Sequence, residues 1–259
     1  MTASTTEIPS DTRLRLLQAA GEIFAQSGFR QATVRDIIER AGVNIAAVNY
    51  HFRDKQGLYV EVLRHWLGAA MDKYPSDGGL AADAPAQDRL REFVRSFFHR
   101  LMDEGVPAWH GKLMAREMAD PTPGVIETIV DTHFRPHAQA LFGIVDELLG
   151  GGAAEARVRL CAFSVVGQIL FYRHCQATIC RLAPQQKFAP ADVAQIADHV
   201  TDFALAGMGI YRAEKNVKRG GRKAEIKVDR KRDLQNETRK RDPMGAKPPG
   251  TPGRSAKKY

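Results

Sequence analysis

A chain of 259 residues, 44% of them hydrophobic, can bury a substantial core, which excludes a wholly disordered polypeptide. No apolar run reaches the roughly 18–20 residues of a membrane span, and no basic patch followed by an apolar stretch opens the chain, so a cytoplasmic protein with no membrane partner is expected. The formal net charge of +8 is unevenly placed: Arg212–Tyr259 carries 17 Lys and Arg against 6 Asp and Glu, which leaves residues 1–211 at −3.

Apolar residues recur at helical spacing, as in Leu14, Leu17, Ala20 and Phe24, or Leu58, Val62, Trp66 and Ala70. Alternating strand patterns and hairpin turns are missing. Breaks at Gly28, Gly42, Pro75–Gly79, Pro85, Pro107, Pro121–Gly124, Gly150–Gly152 and Pro184–Pro190 predict helices over 11–27, 34–41, 45–51, 54–74, 86–105, 108–119, 122–149, 153–180 and 190–212. Pro136 is expected to kink or divide the 122–149 segment. The result is an all-α body. The last stretch, from 213 to 259, is rich in charge, Pro and Gly and poor in large apolar residues, the composition of a disordered tail.

Residues 33–52 read TVRDIIERAGVNIAAVNYHF. Thr33 followed three residues later by Asp36 is an N-cap arrangement, Ile37 and Ile38 face inward, and Gly42 suits the left-handed backbone that ends a helix. A second short helix then begins at Asn44. Two short helices about a Gly-containing turn form the helix-turn-helix pattern, whose second helix can enter a major groove; a purely structural helical corner has the same outline.

The flanks separate these readings. AAGEIFAQSGFRQATVRDIIERAGVN and VNYHFRDKQGLYVEVL together resemble the DNA-binding domain of the TetR/AcrR family, over about fifty residues from Leu14 to Leu63. The resemblance implies a three-helix DNA-binding domain at 10–60 and a helical ligand-binding and dimerisation domain at 61–212. It implies that Thr33, Tyr50 and Lys55 meet the DNA backbone, that His51 packs or reaches it, and that Asn44, Ile45, Ala46, Ala47 and Asn49 face base edges, with Arg35 on the same surface. Chemistry supports such roles: Asn can pair with adenine, alanine methyls can meet thymine methyls, and helix N-termini suit phosphate. Val48 and Phe52 fall on the inward stripe. Asn49 stands where the family commonly has tyrosine, so base preference does not carry over. Residues 1–60 hold only 7 basic against 6 acidic residues, so a few placed groups must position the DNA.

Further on, WHGKLMAREMADPTPGVIETIVDTHFRPHAQALFGIVDELLG and RVRLCAFSVVGQILFYRHCQATICRL are similar to the C-terminal domain of the CecR subgroup. That resemblance implies a homodimeric regulator responsive to a small molecule, with double-stranded operator DNA as partner and no cofactor. Polar groups on apolar helical faces make Arg116, Glu117, His133, His137, Gln168 and Tyr172 pocket candidates, with the apolar Met114 and Phe134 beside them. His133 and His137 share the i, i+4 spacing of metal ligands, but Pro136 lies between them and no further ligand repeats the pattern, so no metal is expected. Cys161, Cys175 and Cys180 lack a C-x-x-C pair and read as buried small hydrophobes. One short recognition helix covers few base pairs, so two-fold pairing is expected. Ala162, Val166, Ile169 and Arg173, with Val200, Phe203, Ala204 and Gly207, would form its four-helix bundle.

Enzyme motifs such as G-x-S-x-G, H-E-x-x-H or a Gly-rich phosphate loop do not occur, so no catalytic activity is expected. An alternative reading makes the basic tail the main, sequence-independent nucleic-acid binder and the helical body an assembly scaffold.

Overall fold

The computed structural model describes residues 9–103, 105 and 107–213, which are helices and their links, with no strand among them. Helix α1 (Pro9–Gln31) buries Leu16, Leu17, Ala20, Ile23 and Phe24, a 3–4–7 spacing that gives one apolar stripe. Gly28 breaks its regularity with φ 76° and ψ 166°, a backbone conformation that only glycine adopts cheaply.

Helix α2 (Val34–Ala41) starts at Thr33, whose Oγ1 accepts the Asp36 amide at 3.1 Å and donates to the Asp36 carboxylate at 2.7 Å. Such a cap contributes about 1 kcal/mol. The helix ends at Gly42 in the left-handed region, and the Val43 amide reaches back to the Ile38 carbonyl at 3.1 Å. Helices α3 (Ile45–Phe52) and α4 (Lys55–Lys73) follow, capped by Asn44 and Asp54. Because α4 is one continuous helix, the domain boundary expected after residue 60 falls inside it.

The downstream helices are α5 (Ala86–Met102), α6 (Ala108–Ala119), α7 (Val125–Ile129), α8 (Arg135–Leu148), α9 (Glu155–His174), α10 (Gln176–Leu182) and α11, over 190–213. Pro136 sits in the first turn of α8, where its missing N–H is harmless. The division expected there occurs just upstream, as a π-helical turn over Val130–Phe134 in which the Arg135 amide bonds the Val130 carbonyl. The helix expected over 153–180 breaks at Cys175, with no Pro or Gly to announce it.

Two apolar cores result. The first joins α1–α4 through Leu16, Phe24, Ile37, Val48, Phe52, Leu58 and Leu63, and also takes in Leu113 of α6 and Val125 and Ile129 of α7. The second joins α5, α8, α9 and α11 through residues such as Leu90, Phe98, Val145, Ala162, Ile169 and Val200. Each fully buried Leu or Ile contributes about 1.5–3 kcal/mol relative to exposure. The expectation for 213–259 falls almost entirely outside the described residues.

Candidate nucleic-acid interface

Helix α3 is held from beneath and open above. Val48 and Phe52 are buried in the first core, as their place on the inward stripe predicts. On the opposite face Ile45 and Tyr50 are 58% and 82% exposed, and Ala46 and Asn49 are exposed beside them. A folded chain seldom leaves an isoleucine and a tyrosine this open on one short helix unless something covers them. Ala47 and His51 lie half-buried at the edges of the face, the His51 ring 4.9 Å from that of Tyr50.

Some expected contact residues carry a structural duty as well. The Asn44 Oδ1 accepts the Ala47 amide at 3.1 Å, so its side chain is the cap of α3, with only the amide nitrogen left to reach outward. Thr33 is committed to Asp36. Lys55 is pinned: its ammonium donates to the Ala32 carbonyl at 3.0 Å and lies 4.6 Å from the centre of the Phe29 ring, so it closes the end of α1 where a free cation was expected. Arg35 is exposed.

Sequence reasoning missed Arg53. It follows α3 directly, is exposed, and has φ 71° and ψ −54°, while the Asp54 amide bonds the Phe52 carbonyl at 2.9 Å. That is a γ-turn of the strained kind, on a residue that ordinarily avoids positive φ. The same tight exit requires Gly57, where a Cβ would stand 2.1 Å from the Phe52 carbonyl oxygen. The turn thus holds a cation beside α3 at a backbone cost. The motif HFRDKQG carried this signal, in a glycine inside a helical run.

The pocket candidates do not converge. Arg116 and Glu117 line a cleft of about 260 Å³ between the end of α1 and the α6–α7 link, shared with Gly28, Tyr59 and Thr122. Arg116 donates to the Ala25 and Gln26 carbonyls, just before the break at Gly28. Glu117, 1% exposed, accepts the Tyr59 hydroxyl at 2.8 Å and both the amide and hydroxyl of Thr122. Burial, and then the Glu117 carboxylate, push the Tyr59 phenol well above its usual range. Met114 packs against the first core with Phe134. Gln168 bonds the Ser164 carbonyl of its own helix, and Tyr172 packs on the second core near Phe98.

His133 and His137 stand apart from that cleft. The Ser76 hydroxyl and His137 Nδ1 lie 2.7 Å apart, the His137 Nε2 lies 3.0 Å from the Met71 sulfur, and the His133 Nε2 is buried with no partner. Burial lowers both imidazoles, helped by Arg64 at His133 and by Arg100 at His137. Among the described residues no group of three or more His, Cys, Asp or Glu is arranged to hold a metal ion. The cysteines correct an expectation: Cys180 is exposed, and Cys161 and Cys175 are half-buried.

The expected dimer residues divide in the same way. Ala162, Ile169 and Val200 are fully buried in the second core of their own chain, so they present no surface; the stripe was assigned to the wrong side of α9. Arg173 turns inward as well, donating to the Leu101 carbonyl at 3.0 Å and packing over Gly111. Val166 and Ala204 pack partly on the core, while Phe203 is 62% exposed and Gly207 half-buried. The apolar face left open on α9 is instead Leu160, Phe163, Gly167 and Phe171, and on α11 Phe203 and Ile210.

An anchored first helix, a tight left-handed turn and an exposed second helix define a helix-turn-helix protein of the DNA-binding class. Residues 16–62 match the model of bacterial regulatory proteins of the tetR family, and residues 86–208 match the C-terminal domain of the HTH-type transcriptional dual regulator CecR. The chain belongs to the TetR family of transcriptional regulators and carries a CecR-type C-terminal domain. It is 26% identical to the dual regulator CecR of Shigella flexneri over 174 residues, 64% of this chain and 77% of that protein. It spans about a third of the length of the repressor KstR2 of Mycolicibacterium smegmatis, at 36% identity over 74 residues. The fold resembles a candidate transcriptional regulator from Pseudomonas aeruginosa PAO1, with TM-score 0.59, 23% identity and coverage of 78% and 94% of the two chains. It also resembles FadR from Bacillus subtilis, solved with stearoyl-CoA, with TM-score 0.52, 18% identity and coverage of 75% and 98%. Among the described residues no helix is long and apolar enough to cross a membrane.

Proposed function

We propose that this TetR-family regulator acts in the cytoplasm as a homodimeric repressor that leaves a palindromic operator when a small molecule binds its regulatory half. The observation that carries this reading is the open face of α3, where Ile45, Ala46, Asn49 and Tyr50 are exposed above a core anchored by Val48 and Phe52. Asn49 would read a base edge, the Ala46 and Ile45 side chains would meet thymine methyls, and Tyr50, His51, Arg35 and Arg53 would take phosphates.

Dimerisation is supported by the aligned apolar exposure of Leu160, Phe163 and Phe171 on α9 and of Phe203 and Ile210 on α11. Two such helices from each subunit would bury these side chains in a four-helix bundle and set the spacing of the two recognition helices. A ligand that binds better to another spacing would lower operator affinity by that difference in binding free energy. That FadR was solved with stearoyl-CoA supports a ligand-responsive second half.

The test is fluorescence anisotropy on duplex DNA from upstream of this protein's own gene, against a scrambled duplex, across a salt series. Full-length protein and a chain ending at Arg212 are compared. Retained preference after truncation is the expected result. Loss of all binding on truncation, or no preference at any salt, would favour the reading in which the +11 charge of residues 212–259 carries the affinity. Sedimentation of Phe163→Glu checks the dimer: the variant should run as a monomer.

A further inference from the structure

At the end of α5 lies a half-buried positive group with no negative partner among the described residues. The Arg100 guanidinium donates to the Tyr74 carbonyl at 3.1 Å and to the Ser76 hydroxyl at 2.9 Å, and lies 5.3 Å from the centre of the Phe97 ring. Burial pulls it down to about 10, and among the described residues no carboxylate comes within 4.0 Å of it. Asp103, close by in sequence, is taken by the Lys73 ammonium at 2.7 Å and by the Gly105 amide.

Both protein bonds of Arg100 use a single nitrogen, Nη1. Its Nε and Nη2 donate to no protein group among the described residues, and these are the adjacent donors that grip a carboxylate or phosphate side-on. A residue needed only to pin the α4–α5 link would not require that fork. The described neighbours add positive or neutral polar groups: Ser76 bonds His137, whose imidazole feels both Arg100 and His133, and His133 keeps a buried ring nitrogen unbonded. Arg173 reaches the same end of α5 through the Leu101 carbonyl, also without a carboxylate within 4.0 Å among the described residues.

We propose that the effector of the regulatory half is an organic anion, a carboxylate or a phosphate monoester on an apolar body, and that the Nε–Nη2 edge of Arg100 holds its oxyanion beside Ser76 and His137. The proposal rests on the ligand-responsive reading above and supplies the chemical class that the reading leaves open. The Phe97 ring beside Arg100 and the Met71 side chain beside His137 are apolar neighbours that suit the uncharged body of such a molecule.

The experiment uses the full chain without DNA. Its two tryptophans, Trp66 and Trp109, report through intrinsic fluorescence, and melting temperature is followed in parallel. Hexanoate, hexyl phosphate, hexanol and hexylamine are titrated at constant ionic strength. Saturable fluorescence change and a raised melting temperature with one or both anions, at least tenfold tighter than with hexanol and absent with hexylamine, are expected; the two anionic arms show which oxyanion fits. Arg100→Gln should weaken the anion at least tenfold and leave hexanol unchanged, while Arg100→Lys, which keeps the charge and loses the fork, should fall between. Equal response to hexanol, an unchanged affinity in Arg100→Gln, or no response to either anion up to 20 mM would overturn the proposal, and the comparison on the unaltered chain decides it even where the Gln variant does not fold. Because DNA is absent, failure here leaves the operator test standing, and anion binding without operator preference would remove the regulatory reading instead.

Discussion

The Tyr59 hydroxyl donates to the buried carboxylate of Glu117 at 2.8 Å, and this bond ties α4 to the end of α6. The same carboxylate holds Thr122 in the link to α7, and its neighbour Arg116 holds the last carbonyls of α1 before Gly28. The end of α6 therefore grips both long helices of the DNA-binding half.

Tyr59→Phe leaves one donor fewer on a carboxylate that is 1% exposed. A hydrogen bond to a charged group contributes about 1.5–3 kcal/mol, so unfolding free energy in urea should fall by that amount with little change in the slope. An unaltered midpoint would mean that the bond contributes nothing.

Gly21 meets the Trp109 indole so closely that a Cβ would lie 2.1–2.4 Å from three ring carbons. Gly21→Ala should cost about 1–3 kcal/mol through overpacking between α1 and α6. Trp109→Leu in the same chain should recover more than half of that loss, and a double-mutant cycle reads the coupling directly.

Arg53 has opposed effects on stability and binding. Arg53→Gly relieves the positive φ and should stabilise the protein by about 1 kcal/mol. It also removes a cation beside α3, so operator affinity should fall and the slope of log K against log salt should decrease by about 1. Thermal melting and a salt series separate the two effects; a gain in both would show that Arg53 does not meet DNA.

His110 predicts the direction of acid sensitivity. Its imidazole titrates at 6.5 when exposed, whereas burial, and then the nearby Arg173, hold it at about 4 in the folded protein. Between those values the unfolded chain binds the extra proton, so stability falls as pH drops through that window and levels off below about 4. The full loss is at most about 3 kcal/mol, and the lowered His133 and His137 act in the same direction. His110→Gln should flatten the pH dependence of urea unfolding between pH 7 and 4.5. An unchanged slope would refute this assignment.

The helix-turn-helix was legible because its determinants are local. Thr33, Gly42, Asn44 and the stripe through Ile37, Val48 and Phe52 act within a few residues of one another, and periodicity and capping chemistry report on that range. The pocket and dimer candidates fared differently. Gln168, Arg116 and Tyr172 each look like a polar residue on an apolar helix, yet one bonds its own helix, one the end of α1, and one packs on a core.

Sequence alone determined that the described residues are helical, where most helices begin and end, and which residues form the two short helices α2 and α3. Helix periodicity, caps and glycine turns are set by neighbouring residues. It did not determine which side of α9 faces inward, because that helix is apolar nearly all round: Ala162 and Ile169 become core, and Leu160, Phe163 and Phe171 surface, only once α5, α8 and α11 pack against it. Nor could it reveal that Lys55 closes α1, that Glu117 receives Tyr59, or that Arg100 has no carboxylate partner among the described residues. Those facts depend on residues tens of positions apart being brought within bonding distance, and only tertiary packing decides which polar groups find partners.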